Sequence, residues 1–190
     1  MSFPTDPEFS AIDVRLNYNN VRSQTRSGRT QVRNIGTGYW SFTARYPRLT
    51  REKFAPVMGF LAKTKGGTDS FSITPPVISD SSGNPSGIVT AGSAHSAGST
   101  EVIISGLTGT IKAGDFVKFS GHTKVYVVTT DRAGAGAMTI EPPLVEAVSS
   151  GATVTYNNVS FTMRMARDVQ RFRVAGYEQY QIELDLIEAI

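Results

Sequence analysis

The 190-residue chain contains no cysteine, which excludes disulfides, thiolate metal sites and a cysteine nucleophile. Histidine is nearly absent: His95 lies in a Ser/Gly/Ala-rich loop and His122 in Ser120-Gly121-His122-Thr123. Neither has a second histidine or a carboxylate at metal-ligand spacing, so each is expected in a turn or at the surface. No apolar run approaches the roughly 20 residues that cross a bilayer. The opening, Met1-Ser2-Phe3-Pro4-Thr5, has neither the basic start nor the apolar stretch of a secretory signal. No membrane contact is expected, and synthesis and assembly in a cytoplasm are. Charged residues make up only 18% of a chain that is 39% hydrophobic, which is too apolar for disorder and suits one ordinary domain or two small ones.

The little charge present is uneven. Residues 1–75 hold 11 Lys/Arg against 5 Asp/Glu, residues 76–156 hold 4 against 6, and residues 157–190 hold 4 against 5. The net charge of +3 therefore originates in the first segment, and it is a weak field for nucleic acid unless concentrated on one face. A change in grammar near Pro75 matches this division. The outer segments read as Arg-rich β structure with one helix, whereas the middle is rich in Gly, Ser, Ala and Val. Each outer segment is too short to close a core, so the expected organisation is a discontinuous unit, 1–78 with 157–190. It is interrupted by a small β module over 79–156, whose N-terminal flank, 79–99, reads as a flexible loop or arm.

Period-two alternation marks the strands. Ile12, Val14, Leu16 and Tyr18 share one face. Trp40, Phe42, Ala44 and Tyr46 share another, Phe161, Met163 and Met165 a third, and Tyr180, Ile182, Leu184 and Leu186 the most regular of all. Residues 21–33 read as a hairpin or long loop around Ser27-Gly28. A helix is expected near 50–64, with Thr50 capping its first turn, Phe54, Val57, Met58 and Leu61 as its apolar stripe, and Pro56 kinking it or marking a later start. Within the middle segment, strands near 101–105, 115–119, 124–129, 138–141 and 153–156 describe a compact barrel or small sandwich.

Catalytic chemistry finds little support. Gly134-Ala135-Gly136 lacks the Lys-Ser/Thr and the helix of a phosphate loop and reads as a hairpin tip. Glu141 and Glu146 read as solvated edge charges. The arginines offer more: Arg22, Arg26, Arg29 and Arg33 fall in one hairpin, where guanidinium forks suit a subunit interface. Two rival readings use the same residues or the middle segment. One is a nucleic-acid-binding β-barrel in which this hairpin tracks phosphates. The other is a carbohydrate- or host-surface-binding module with Tyr126, Tyr156 and His122 as contacts.

Several stretches of the outer segments, taken in order, resemble the distal tail and tube-like baseplate proteins of tailed bacteriophages. They are the first strand, Ser27-Gly28-Arg29-Thr30-Gln31, Tyr39-Trp40-Ser41-Phe42, Leu49-Thr50-Arg51-Glu52-Lys53-Phe54, Gly66-Gly67, Phe71-Ser72-Ile73 and the terminal strand. The middle is similar to a small β module that recurs in phage structural proteins, through residues 112–119, 122–129 and 140–144, and this implies a role in decoration or contact. The resemblance implies a mainly β fold, a split barrel or sandwich of tail-tube type with one packed α-helix, interrupted by a small inserted β-barrel. It implies a structural virion protein with no catalytic residues, metal or cofactor. The subunits would form a homo-hexameric ring that joins the tail tube to the baseplate or tip and surrounds the DNA channel. Its partners would be further copies of itself, neighbouring tube, hub or baseplate proteins, and DNA only in passage. A lumen that passes DNA is expected to be neutral or acidic, so the arginines should lie at subunit contacts or outside the bore.

Overall fold

The computed structural model describes residues 1–176 and 179–190. Its elements, in chain order, begin with β1 (Ala11–Asn17), β2 (Asn20–Gln24), β3 (Thr30–Asn34), β4 (Tyr39–Arg45), α1 (Arg51–Lys63) and β5 (Phe71–Ile73). The middle segment supplies β6 (Thr90–Ala91), β7 (Glu101–Ser105), β8 (Thr110–Ile111), β9 (Phe116–Phe119), β10 (Tyr126–Val128), β11 (Arg132–Ala133), β12 (Gly136–Glu141) and β13 (Val154–Thr155). The chain ends with β14 (Phe161–Met165), β15 (Phe172–Ala175) and β16 (Gln179–Glu188). The protein is mainly β, with one helix among the described residues.

The first sheet has the order β1-β4-β16-β14-β5, and β15 pairs with the first half of β16. Every pairing is antiparallel. The alternating side chains decide the register: Phe42 sits opposite Val14 on one side and Leu186 on the other. A one-residue slip would turn this whole apolar set to solvent. Strands from both outer segments thus share one sheet and bury one core, which contains Trp40, Phe42, Phe161, Met163, Leu184 and Leu186.

Helix α1 covers that core with Phe54, Val57, Phe60 and Leu61. Met58, expected in the stripe, is exposed, and Phe60 takes its place. The buried stripe is centred on Val57 because Phe60 packs edge-on between Phe3 (4.9 Å) and Phe71 (5.1 Å). The helix runs unbroken through Pro56, and the Thr50 side chain makes no capping hydrogen bond; its carbonyl instead accepts from the Phe54 N–H at 2.9 Å.

The second sheet has the order β13-β9-β10-β12-β7-β6. Its two ends meet. Ala91 N–H donates to Ala152 O, Gly151 N–H to Ala91 O, and Val154 N–H to Val89 O, each at 2.8 Å. The sheet therefore closes on itself around a second core that includes Val102, Ile104, Phe119, Tyr126, Met138 and Ile140. The Gly-rich stretch 79–99 supplies the closing strand, β6, with Val89 and Ala91 buried. Glycines on both sides of this contact serve close approach: a Cβ on Gly106 (φ +79°), after β7, would lie 2.2 Å from Ile88 O, and one on Gly87 (φ +94°) 2.6 Å from Gly106 O.

Candidate interaction surfaces

The β2–β3 pair forms a two-stranded ribbon whose residues are all exposed. Its tip is tied by Thr25, whose N–H donates to Arg29 O at 2.9 Å and whose Oγ1 accepts from the Arg29 N–H at 3.2 Å, while Gly28 takes φ +82°. Val21 lies opposite Arg33, and Arg22 opposite Val32. Cross-strand partners share a face, so each face of the ribbon presents one valine and one arginine. Val21 is 50% exposed and Val32 58%. Of the four arginines expected to act together, Arg22 and Arg33 thus point to opposite sides, while Arg26 and Arg29 occupy the tip. None of the four forms an ion pair among the described residues.

A second polar assembly, not anticipated from the sequence, joins the two β units. Glu188 ends β16 on the same face as Leu184 and Leu186, and its side chain enters the junction. Its carboxylate accepts from Lys124 Nζ, from the Val125 N–H and from the Trp40 N–H, the latter two at 3.0 Å. The Trp40 indole N–H donates back to Val125 O at 2.8 Å. Lys124 is 1% exposed and Glu188 6%. Burial lowers the Lys124 ammonium below its ordinary value, and the neighbouring Glu188 charge opposes that shift. Around the pair, Val125, Phe116 and Val127 of the closed barrel pack into the core of the open sheet, with Phe116 edge-on to Trp40 at 5.0 Å. The parity of β16 was the available signal, since Glu188 continues the dry-face series Ile182, Leu184, Leu186.

The two chain crossings between the units are stitched side by side. Val159 N–H donates to Ser79 O at 2.9 Å, Asn158 N–H to Asp80 Oδ1 at 2.8 Å, and Ser81 N–H to Asn157 Oδ1 at 3.0 Å. Asp115 anchors the crossing to the barrel. It accepts from the Ser81 hydroxyl, from Ser82 N–H (2.8 Å) and Oγ (2.7 Å), and from Lys112 N–H (2.9 Å). Burial alone would raise the Asp115 carboxyl, but these hydrogen bonds outweigh it and hold the group below its ordinary value.

The residues proposed for carbohydrate contact form no platform. Tyr126 is fully buried; its hydroxyl accepts from Val145 N–H at 3.1 Å, and burial pushes its pKa up to about 12. Tyr156 is half-buried and donates to Gly87 O at 2.8 Å. His122 lies between the Tyr126 hydroxyl (3.4 Å) and Ala147 O (3.3 Å), and His95 Nε2 accepts from Ile103 N–H at 3.0 Å. Both histidines serve loop architecture. Trp40, Phe42 and Tyr46 are likewise core residues, so the aromatic face of β4 is not open to stacking bases. Gly134 and Gly136 form the turn into β12, where the Arg132 guanidinium binds the carbonyls of Ala133, Gly134 and Ala135. No group of three or more His, Cys, Asp or Glu able to hold a metal occurs among the described residues.

No curated protein matches the chain. Residues 80–159, which comprise the closed barrel and its stitched crossings, match the family model described as distal tail protein pb9, B domain. This match spans 80 of the 190 residues; it makes the barrel of β6–β13 similar to a domain of a tailed-phage distal tail protein and supports a phage tail structural protein.

Proposed function

We propose that the protein is the subunit of a six-membered ring that joins the phage tail tube to the baseplate or tip and surrounds the DNA channel. In this reading, residues 1–78 and 157–190 build the ring, and residues 79–156 are a separable module mounted on it. The observation that carries the reading is the β2–β3 ribbon. A two-stranded ribbon in water is marginally stable by itself, and this one exposes a valine and an arginine on each face, with Arg26 and Arg29 at its tip. Such a ribbon suits burial between neighbouring copies, where guanidinium groups bind carboxylates in oriented pairs.

The outward face of the first sheet supports the channel. Asp13, Glu183 and Asp185 alternate there with Arg15, Arg45 and Arg164. Arg45 pairs with Asp13 at 3.1 Å and with Glu183 at 3.4 Å. A balanced surface of this kind neither holds nor repels a passing polyanion. The ring would be assembled in the host cytoplasm and reside in the virion, with tube, hub or baseplate proteins above and below it.

Native mass spectrometry of the purified chain is the test, together with gel filtration of the Arg26→Ala/Arg29→Ala variant. Closed hexamers that dissociate in the variant are expected. A monomer that binds single-stranded DNA tightly, with affinity falling steeply as salt rises, would overturn the ring and favour the nucleic-acid reading.

A further inference from the structure

A second arm of the molecule carries the same composition as the β2–β3 ribbon but belongs to a groove. Strand β15 pairs only with β16 among the described residues, and its flank and strand read Arg171-Phe172-Arg173-Val174. All four of these residues are exposed. Phe172 and Val174 lie opposite Ile182 and Tyr180, while Arg173 lies opposite Gln181. The strand therefore shows apolar groups on one face and a guanidinium on the other.

Between β15, the first half of β16 and the residues after β4 lies a groove of about 520 Å³. Among the described residues its charged wall is Arg45, Arg48, Arg171 and Arg173 against Glu183. Arg45 is already engaged by Asp13 and Glu183, and Arg48 donates to Gln179 at 3.2 Å. Arg171 and Arg173 form no ion pair among the described residues. Phe172, Ile182 and Tyr46 form the apolar part of the lining, and the Tyr46 hydroxyl beneath is buried without a hydrogen-bond partner among the described residues. Arginine beside aromatic and aliphatic surface is the composition of an interface centre.

We propose that this groove receives an extended acidic segment of a partner protein. Its carboxylates would bind Arg48, Arg171 and Arg173, and one of its apolar side chains would lie against Phe172 and Ile182. The charge excess selects an acidic occupant. The apolar lining selects a peptide over a nucleic acid, because Phe172 is the one exposed aromatic in the groove, and it is packed against Phe54 at 5.2 Å. Among the described residues of the groove, successive bases would find no further exposed ring to stack on. The groove is separate from the β2–β3 ribbon but shares Arg45 and Glu183 with the outward face of the first sheet, so self-association of the variant is followed beside peptide binding to keep the two readings apart.

The test uses the full chain and a fluorescein-labelled peptide, Gly-Glu-Leu-Glu-Leu-Glu-Gly, followed by fluorescence anisotropy at about 50 and about 200 mM salt. Binding that weakens with salt is expected. It should weaken by about tenfold or more in Arg171→Ala/Arg173→Ala, the loss of two charge-assisted hydrogen bonds, and stay unchanged in Lys53→Ala/Lys112→Ala, exposed cations outside the groove. Both substituted pairs are exposed, so an unchanged thermal midpoint is expected for each variant and separates lost binding from lost folding. Equal peptide binding by the Arg171/Arg173 variant overturns the proposal. So does a labelled oligothymidine that binds more tightly than the peptide and is lost in the same variant, which would identify a nucleic-acid track. Loss of self-association in that variant without loss of peptide binding would overturn it by assigning the groove to a second copy.

Discussion

The two β units of this chain treat their edges in opposite ways. The barrel of β6–β13 joins its first and last strands through backbone hydrogen bonds at residues 89–91 and 151–154, which abolishes its edges. The first sheet ends at β1 and β5, and two arms, the β2–β3 ribbon and the side strand β15, leave it with residues that are almost all exposed. Unpaired edges are a hazard in a monomer and a resource in an assembly. The closed unit satisfies its backbone within itself, whereas the open one leaves two exposed arms that the proposed ring would cover.

The buried Lys124–Glu188 pair is the place to break this comparison, because it is where the closed unit leans on the open one. Glu188→Leu should have the largest effect. It strands a buried ammonium and leaves the N–H groups of Trp40 and Val125 unpartnered, at a cost of about 3–5 kcal/mol. Lys124→Met should cost less, about 1–3 kcal/mol, since the carboxylate keeps both backbone donors. Urea unfolding with intrinsic tryptophan fluorescence reads both, because Trp40 lies in the junction. Equal losses in the two variants would mean that the ion pair, rather than the carboxylate's role as acceptor, holds the units together.

Within the open unit, Phe54→Ala should cost about 3–5 kcal/mol. Phe54 stacks on Tyr180 at 4.6 Å and meets Phe172 at 5.2 Å, so its removal opens a cavity under β15 and β16. If the barrel is autonomous, the β10 and β12 amides should retain their hydrogen-exchange protection in this variant. Simultaneous loss in both units would show that the barrel cannot stand without its host.

Asp115 sharpens the comparison from the other side. Asp115→Asn replaces an acceptor by an amide that cannot serve every donor around it, for about 1–3 kcal/mol. The hydrogen bonds that depress the carboxyl contribute stability that is full above its ordinary pKa of about 3.9. That contribution is lost as pH falls through the lower native value. An acid titration of stability should therefore show a limb below about pH 4 in the parent chain that is reduced in Asp115→Asn. Coincident profiles would sink the assignment. The smallest effect belongs to exposed Lys53→Ala, on the order of 0.5 kcal/mol or less; a larger loss would mean that α1 packs differently from the stripe of Phe54, Val57, Phe60 and Leu61.

Local alternation made much of the fold legible. The parity of Trp40, Phe42 and Ala44 and that of Leu184 and Leu186 are properties of single strands, and both survive in the sheet. The β2–β3 hairpin announced itself through Ser27-Gly28. Features that depend on distant chain were not readable in this way. Strand β6 is two residues long and exists because Ala152 and Val154 come back to meet it. Strand β15 gives no strong alternation because its residues stay largely exposed, and only its pairing with β16 reveals it. Phe60 displaced Met58 from the helix stripe through contacts with Phe3 and Phe71, which no periodicity encodes. The four hairpin arginines were found as a group, but their division between two faces follows from the pairing register. Lys124 gave no local sign of its partner 64 residues away, although the parity of Glu188 did.

The stitched crossings at Asp80–Asn158 and Ser81–Asn157 have a thermodynamic meaning for the host sheet. A disordered loop of the 87 residues between β5 and β14 would add a closure penalty of roughly 0.6 kcal/mol for each of about four doublings beyond a five-residue turn. Because the barrel leaves beside the point where it enters, the host experiences it as a short turn, and β5 and β14 pair as if they were consecutive strands of one hairpin. The crossings thus act as a socket: they fix two adjacent anchor points and remain indifferent to the length of folded chain mounted between them.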